Sequence, residues 1–135
     1  MRSIIYMICR IYGERYIVKM KQTEIFRLLS DETRLRALLL IRAEKELCVC
    51  ELVQALNISQ PKISRHMAAL RESGLVQARR HAQWVFYSIR ADLPDWQLQL
   101  LGAAAKGCEK EKRARQDAQR LAAMKGRPDR CVGEV

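Results

Sequence analysis

Apolar residues recur every three or four positions through most of the chain, and they alternate with polar ones only in a short stretch after Gly74. The first spacing predicts helices and the second predicts strands. Ile25, Phe26, Leu28 and Leu29 form a stripe on a helix over Lys21 to Leu29. Ser30 and Asp31 are N-cap residue types that open a second helix, DETRLRALLLIRAE, with Leu35, Leu38 and Leu39 at helical spacing. ELCVCELVQAL reads as a short helix with Val49, Leu52 and Leu56 facing inward, and Asn57 ends it. After a tight connection at Ile58, Ser59 caps a longer helix, SQPKISRHMAALRESG. Pro61 falls in its first turn, where a missing N–H costs little. Ile63, Met67 and Leu70 share one face, and Gly74 is a stop residue. A short helix, a tight turn and a longer helix with a polar start make the helix-turn-helix pattern.

After Gly74, LVQARR and QWVFYSI alternate and are joined by HA, which predicts a β-hairpin. A hairpin directly after the second helix of a helix-turn-helix is a wing. Leu93 to Met124 is expected as one long helical region. Trp96, Leu98, Leu100, Leu101 and Ala103 to Ala105 supply its apolar part, and Glu109 with Arg113 and Glu111 with Arg115 supply i,i+4 pairs. The fold class is therefore mainly α with a β-hairpin wing, a winged helix-turn-helix domain over residues 20–125. Gly126 and Pro128 end the last helix, and residues 126–135 are expected as a disordered tail. Residues 1–19 have neither a cap nor a clear period, and Met20 makes a natural beginning. They are expected to be a disordered extension or an over-called start. The first and last helices are more apolar than one small core requires, which predicts a homodimer through the terminal helices.

Length and composition agree with this picture. A chain of 135 residues suits one domain, and 49 % apolar with 30 % charged residues suits a folded one. No run of eighteen apolar residues occurs, so no membrane partner is expected. The net charge of +10 points to nucleic acid. Between Ser59 and Arg90, the charges of Lys62, Arg65, Arg71, Arg79, Arg80 and Arg90 face only that of Glu72. Between Glu44 and Ile58 the balance is acidic, with Glu44, Glu46 and Glu51 against Lys45. The start of the second helix of a helix-turn-helix enters the major groove of double-stranded DNA. Here it offers Gln60, Lys62, Ser64, Arg65 and His66, behind Ser59 at the cap. Gln reads adenine, Arg and Lys read guanine, and Ser contacts bases or phosphate. Arg79, Arg80, His81 and Gln83 on the hairpin reach the backbone or the minor groove. The plainer alternatives are a structural role for His66 and simple solubility for the wing arginines.

The remaining chemistry lies in the cysteines at 9, 48, 50, 108 and 131. An odd, scattered set without a credible secretory signal predicts reduced thiols and a cytoplasmic protein. No Ser/His/Asp set, paired-carboxylate site or glycine-rich phosphate loop occurs, and both histidines fall on the expected DNA surface, so no enzyme is expected. Cys48 and Cys50 in ELCVCEL are soft ligands. They suit trivalent arsenic or antimony, and also cadmium, lead, zinc and monovalent copper, while hard cations are excluded. The plainer alternative is a pair of small buried hydrophobes. Thiol–disulfide exchange is disfavoured, because Glu46 and Glu51 raise rather than lower a neighbouring thiol pKa. On a helix, residues two apart point about 200° away from each other. One ion held by both sulfurs is therefore expected to distort the first turn of ELCVCELVQAL.

ELCVCEL, SQPKISRHMAALRESGLV and QWVFYSI, in that order, resemble the ArsR/SmtB family of metal-sensing repressors, and most of all its arsenical-resistance operon repressors. The likeness runs from about residue 24 to about residue 115. It implies a homodimeric winged helix-turn-helix repressor, without a required cofactor, that leaves operator DNA when a toxic metal or metalloid binds. By position, Cys48 and Cys50 match the inducer-binding pair and Ser59 to His66 match the recognition region. The implied inducer is As(III) or Sb(III). A cadmium-, lead- or zinc-responsive repressor and a thiol-redox-responsive one are the alternatives. Two positions depart from the pattern. Val53 stands where some arsenic-type members carry a third cysteine, and Ala82 stands where the wing turn commonly has glycine. Water, a small thiol, Cys108 or Cys9 would complete the coordination of trivalent arsenic, although the two-thiol site is expected to suffice.

Overall fold

The structure is a computed structural model, and it describes residues 21–128. The expected N-terminal extension with Cys9, and residues 129–135 with Cys131, lie outside the described residues. Helix α1 spans Gln22–Leu29 and α2 spans Glu32–Glu44. Asp31 caps α2 by accepting the Arg34 N–H at 3.0 Å, and that bond holds its carboxyl below the usual carboxylate range. The Arg34 guanidinium reaches back to the Leu28 carbonyl at 2.9 Å, which satisfies one end group of α1. Ile25 and Leu28 of α1 are buried, whereas Phe26 is 55 % exposed, so the inner stripe is narrower than expected. In α2 the buried set is Ala37, Leu38, Leu40 and Ile41, with Leu35 and Leu39 only half-buried.

ELCVCELVQAL is not helical throughout. Lys45 turns the chain at φ 72° after α2, and Leu47–Cys48 form a short strand, β1. Helix α3 begins one residue later, at Val49–Leu56. The helical pattern lost at Leu47 and Cys48 because tertiary pairing won. Both residues are buried, and β1 pairs antiparallel with β3, Leu47 opposite Tyr87 and Cys48 opposite Phe86. Strands β2 (Val76–His81) and β3 (Trp84–Ile89) form the expected hairpin, and the sheet order is β1–β3–β2.

Asn57 ends α3 in the left-handed conformation, which asparagine tolerates. Helix α4 then spans Gln60–Ser73, with Ile63, Met67 and Leu70 buried. Gly74 closes α4 at φ 88°, its N–H bonded to the last carbonyls of the helix. The hairpin turn places Ala82 at φ 54°. The glycine common at such turns is therefore a backbone requirement that this chain meets with alanine.

The expected long C-terminal helix is two. Helix α5 spans Asp95–Cys108 and α6 spans Lys112–Ala123. Glu111 takes the N-cap position of α6 without a side-chain capping bond, and Arg113 pairs with Glu32 instead of Glu109. The break lets α6 fold back onto α3, where Leu121 enters the common core. Buried Asp117 organises this contact. It accepts two bonds from Arg36, at 2.9 and 2.7 Å, and one from Arg120 at 2.8 Å. The same two arginines donate to the Leu56 and Ala55 carbonyls, the orphan end of α3. Arg127 and Pro128, assigned by pattern to the tail, also pack on the domain: Pro128 is buried and Arg127 pairs with Glu51.

Asp117→Ala should cost on the order of 3 kcal/mol in urea unfolding, because it leaves two partly buried guanidinium groups without their anion. Arg113→Gln, at an exposed pair, should cost less than about 1 kcal/mol. Ala82→Gly should stabilise by roughly 0.5 kcal/mol, since relief of the left-handed alanine outweighs the glycine's added unfolded-state entropy.

Candidate functional site

Two surfaces carry the chemistry. The first is the start of α4. Burial of Ile63, Met67 and Leu70 turns Gln60, Lys62 and Arg65 outward, with Ser64 half-buried beside them. Ser59 occupies the N-cap position but makes no side-chain capping bond. Its hydroxyl and the first N–H groups of α4 thus share an exposed, positively charged end suited to phosphate. His66 is set apart. It is half-buried with Nε2 4.0 Å from Asp31, which favours a structural role linking α4 to the start of α2.

On the hairpin, Arg80 and Gln83 are exposed and His81 is half-buried next to the turn. Arg79 is engaged within the domain. It makes a bidentate pair with Glu46 at 2.6 and 2.7 Å, and its guanidinium lies 4.9 Å from the centre of the Phe86 ring.

The second surface is the cysteine pair. Cys48 has extended backbone, φ −89° and ψ 168°, and serves as the N-cap of α3. The 200° divergence expected of two helical residues therefore does not arise. The Cys48 and Cys50 sulfurs converge, 2.7 Å apart, with Cys48 buried and Cys50 exposed. Bridging by a soft ion with metal–sulfur bonds of about 2.3 Å would set the sulfurs roughly 3.8 Å apart, an ordinary sulfur–sulfur contact that small side-chain rotations reach. No turn of helix has to unwind. Burial, and next the bond to Cys50, push the Cys48 thiol up to about 12. It is protonated at neutral pH, and a ligand must displace that proton.

Cys48 is held on two sides. Its N–H donates to Glu51 Oε1 at 3.0 Å while its sulfur faces the Glu51 N–H, a capping box in which a thiol replaces the usual hydroxyl. Across the sheet, Cys48 pairs with Phe86, and Phe86 pairs with Arg79. Directly opposed residues share a sheet face. One transverse row thus runs from the buried thiol through Phe86 to a wing arginine.

Cys108 sits half-buried at the end of α5, its thiol raised by burial and next by Glu111. Among the described residues no three His, Cys, Asp or Glu side chains are grouped to hold a metal ion, so Cys108 is not brought to the pair within one chain. Sequence reasoning missed the roles of Glu46, Glu51, Phe86 and Arg127. Cys48-x-x-Glu51 does match the spacing of a capping box, so Glu51 had a readable signal. The partners of Glu46, Phe86 and Arg127 depend on strand register and tail packing, which no local pattern encodes.

The arsR family of bacterial regulatory proteins matches residues 31–78. An arsenic resistance transcriptional regulator of Pseudomonas putida is 49 % identical over 107 residues, 79 % of this chain and 91 % of the relative. The arsenical resistance operon repressor of Escherichia coli is 48 % identical over 89 residues, 66 % of this chain and 75 % of that protein. Among solved structures, the transcriptional repressor BigR from Xylella fastidiosa aligns with a TM-score of 0.58 at 27 % identity, over 83 % of this chain and 98 % of that one.

Brief treatment of the native protein with iodoacetamide at pH 8 should label Cys50 well before Cys48, as read by peptide mass spectrometry. Equal labelling of the two would contradict the burial and the protonated state of Cys48.

Proposed function

Because the chain belongs to the ArsR family of bacterial transcriptional regulators, we propose that it is an arsenite- and antimonite-responsive repressor with Cys48 and Cys50 as its sensor. As a member of that family it is a DNA-binding regulator with a winged helix-turn-helix fold and not an enzyme. The finer reading concerns which residues touch DNA and what releases them. Ser59, Gln60, Lys62, Ser64 and Arg65 are assigned to the major groove, with Arg80, His81 and Gln83 of the wing on the backbone or minor groove. His66 and Arg79 are assigned to support.

The observation that carries the reading is the convergence of one buried and one exposed thiol at 2.7 Å. Arsenous acid, As(OH)3, exchanges two hydroxyls for the two sulfurs. Two As–S bonds form, two S–H and two As–O bonds break, and two waters leave. No electrons are transferred and the charge does not change. The remaining hydroxyl supplies the third ligand, which accommodates Val53 in place of a third cysteine. The arsenic resistance names of the P. putida and E. coli relatives support this choice of inducer. The same two thiols also suit cadmium, lead or zinc, which makes those ions the comparison of interest.

Coupling to DNA follows from the row that contains Cys48. A ligand held by Cys48 loads the strand pair with Phe86, and Phe86 supports Arg79 and its bridge to Glu46. The ligand then favours one arrangement of the wing base and DNA favours the other, which is the differential affinity a switch requires. Phe26, Trp96 and Leu98 are large apolar side chains left exposed on α1 and α5. They suit a homodimer interface through these helices, and two copies would present paired α4 helices to a two-fold operator.

Reduced protein bound to DNA from its own upstream region should be released by arsenite in a gel-shift titration, with an affinity loss of roughly 5- to 150-fold. The Cys48→Ser/Cys50→Ser double variant should stay bound. Release of both proteins alike would move the sensor away from the pair. Release by peroxide or cadmium, but not by arsenite, would replace the inducer and keep the site.

A further inference from the structure

Glu51 is a carboxylate with no exposed surface, located one residue beyond the thiol pair. Its two oxygens serve different parts of the chain. Oε1 accepts the Cys48 N–H, and Oε2 accepts Arg127 Nε at 2.5 Å. Arg127 also lies 3.5 Å from Glu44 at the end of α2. It follows α6, whose Leu121 is buried and whose Arg120 holds the Ala55 carbonyl at the far end of α3. Pro128, the next residue, is buried. The segment after α6 is therefore fastened to the first turn of α3 beside the sensor. A charge pair with one partner fully buried is unlike an exposed ion pair. Removing Arg127 takes a charged partner from a buried carboxylate, and the box that Glu51 shares with Cys48 is then less firmly anchored.

We infer that Arg127 is a positioning residue for the thiol site: through Glu51 it holds Cys48 in the capped geometry, restrains capture of a thiol-bridging ligand, and ties release of the C-terminal segment to occupancy of the pair. The inference rests on the assignment of Cys48 and Cys50 as the ligand site. A bridging ligand draws the Cys48 sulfur off the Glu51 N–H, so it acts on the capping box that Arg127 anchors through Glu51. Coupling is reciprocal, so what holds the capped thiol also lowers ligand affinity, and a bound ligand loosens the lock in turn.

The test uses the full chain in wild-type, Arg127→Gln and Arg127→Lys forms, with Glu51→Gln to keep the cap acceptor while removing its charge. Without ligand, Arg127→Gln and Glu51→Gln should speed alkylation of Cys48 and cleavage by lysyl endopeptidase after exposed Lys125, each by about fivefold or more. Arg127→Lys should return both rates toward wild type. Alkylation of Cys108 on α5 should not change, because the opening is local. With saturating arsenite the wild type should reach the Lys125 cleavage rate of Arg127→Gln, and that variant should bind arsenite more tightly than wild type by a similar factor. Unchanged Cys48 alkylation and Lys125 cleavage in Arg127→Gln would overturn the lock, as would a parallel rise at Cys108, which marks global loosening. Failure of arsenite to bind the wild type, with Cys48 still freed in Arg127→Gln, would overturn the metalloid assignment and leave the lock in place.

Discussion

The extended backbone of Cys48 is the constraint on which the rest depends. Had the helix started two residues earlier, the sulfurs of Cys48 and Cys50 would face opposite ways and no single atom could join them. Pairing of Leu47 and Cys48 with Tyr87 and Phe86 prevents this. The strand is only two residues long, yet it sets the direction of the buried thiol, starts α3 at Val49 and fastens the thiol pair to the wing. The wing sheet is thus also part of the scaffold of the thiol pair.

Helix α3 is short, and side chains from elsewhere satisfy both its ends. Glu51 serves the first turn, while Arg36 and Arg120, joined through Asp117, serve the last. A helix of eight residues has little stability of its own. Its position is set by these clamps and by burial of Leu52, Ala55 and Leu56. Since α3 leads directly into the turn before α4, the placement of the recognition helix inherits the state of both ends.

Much of this was legible in the sequence. The helix-turn-helix, its boundaries at Ser59 and Gly74 and the wing hairpin follow from period, caps and stop residues, which are local signals. The convergence of ELCVCEL with the other two motifs also identified the family. What local signals missed was decided by tertiary contact. Leu47 and Cys48 have a helical pattern but a strand partner. The long C-terminal helix broke because Asp117 and Leu121 find partners on α2 and α3. Phe26 lies on the apolar stripe of α1, yet the core has no place for it. Arg79 looked like one more basic wing residue, and only register reveals Glu46 and Phe86 beside it. The departure at Ala82 proved meaningful, because the backbone there adopts the conformation that glycine favours.

The clamps on α3 join residues far apart in the chain: Arg36 and Asp117 are separated by 81 positions, Ala55 and Arg120 by 65, and Glu51 and Arg127 by 76. Contacts this distant form late, because the loop between them must close first. During synthesis, the thiols and the DNA-reading helix emerge from the ribosome well before the residues that fix them. A nascent chain therefore carries both thiols of the pair but not the frame that gives them their geometry. Both ends of α3 are fixed only once α6 and the segment behind it, as far as Arg127, have been made.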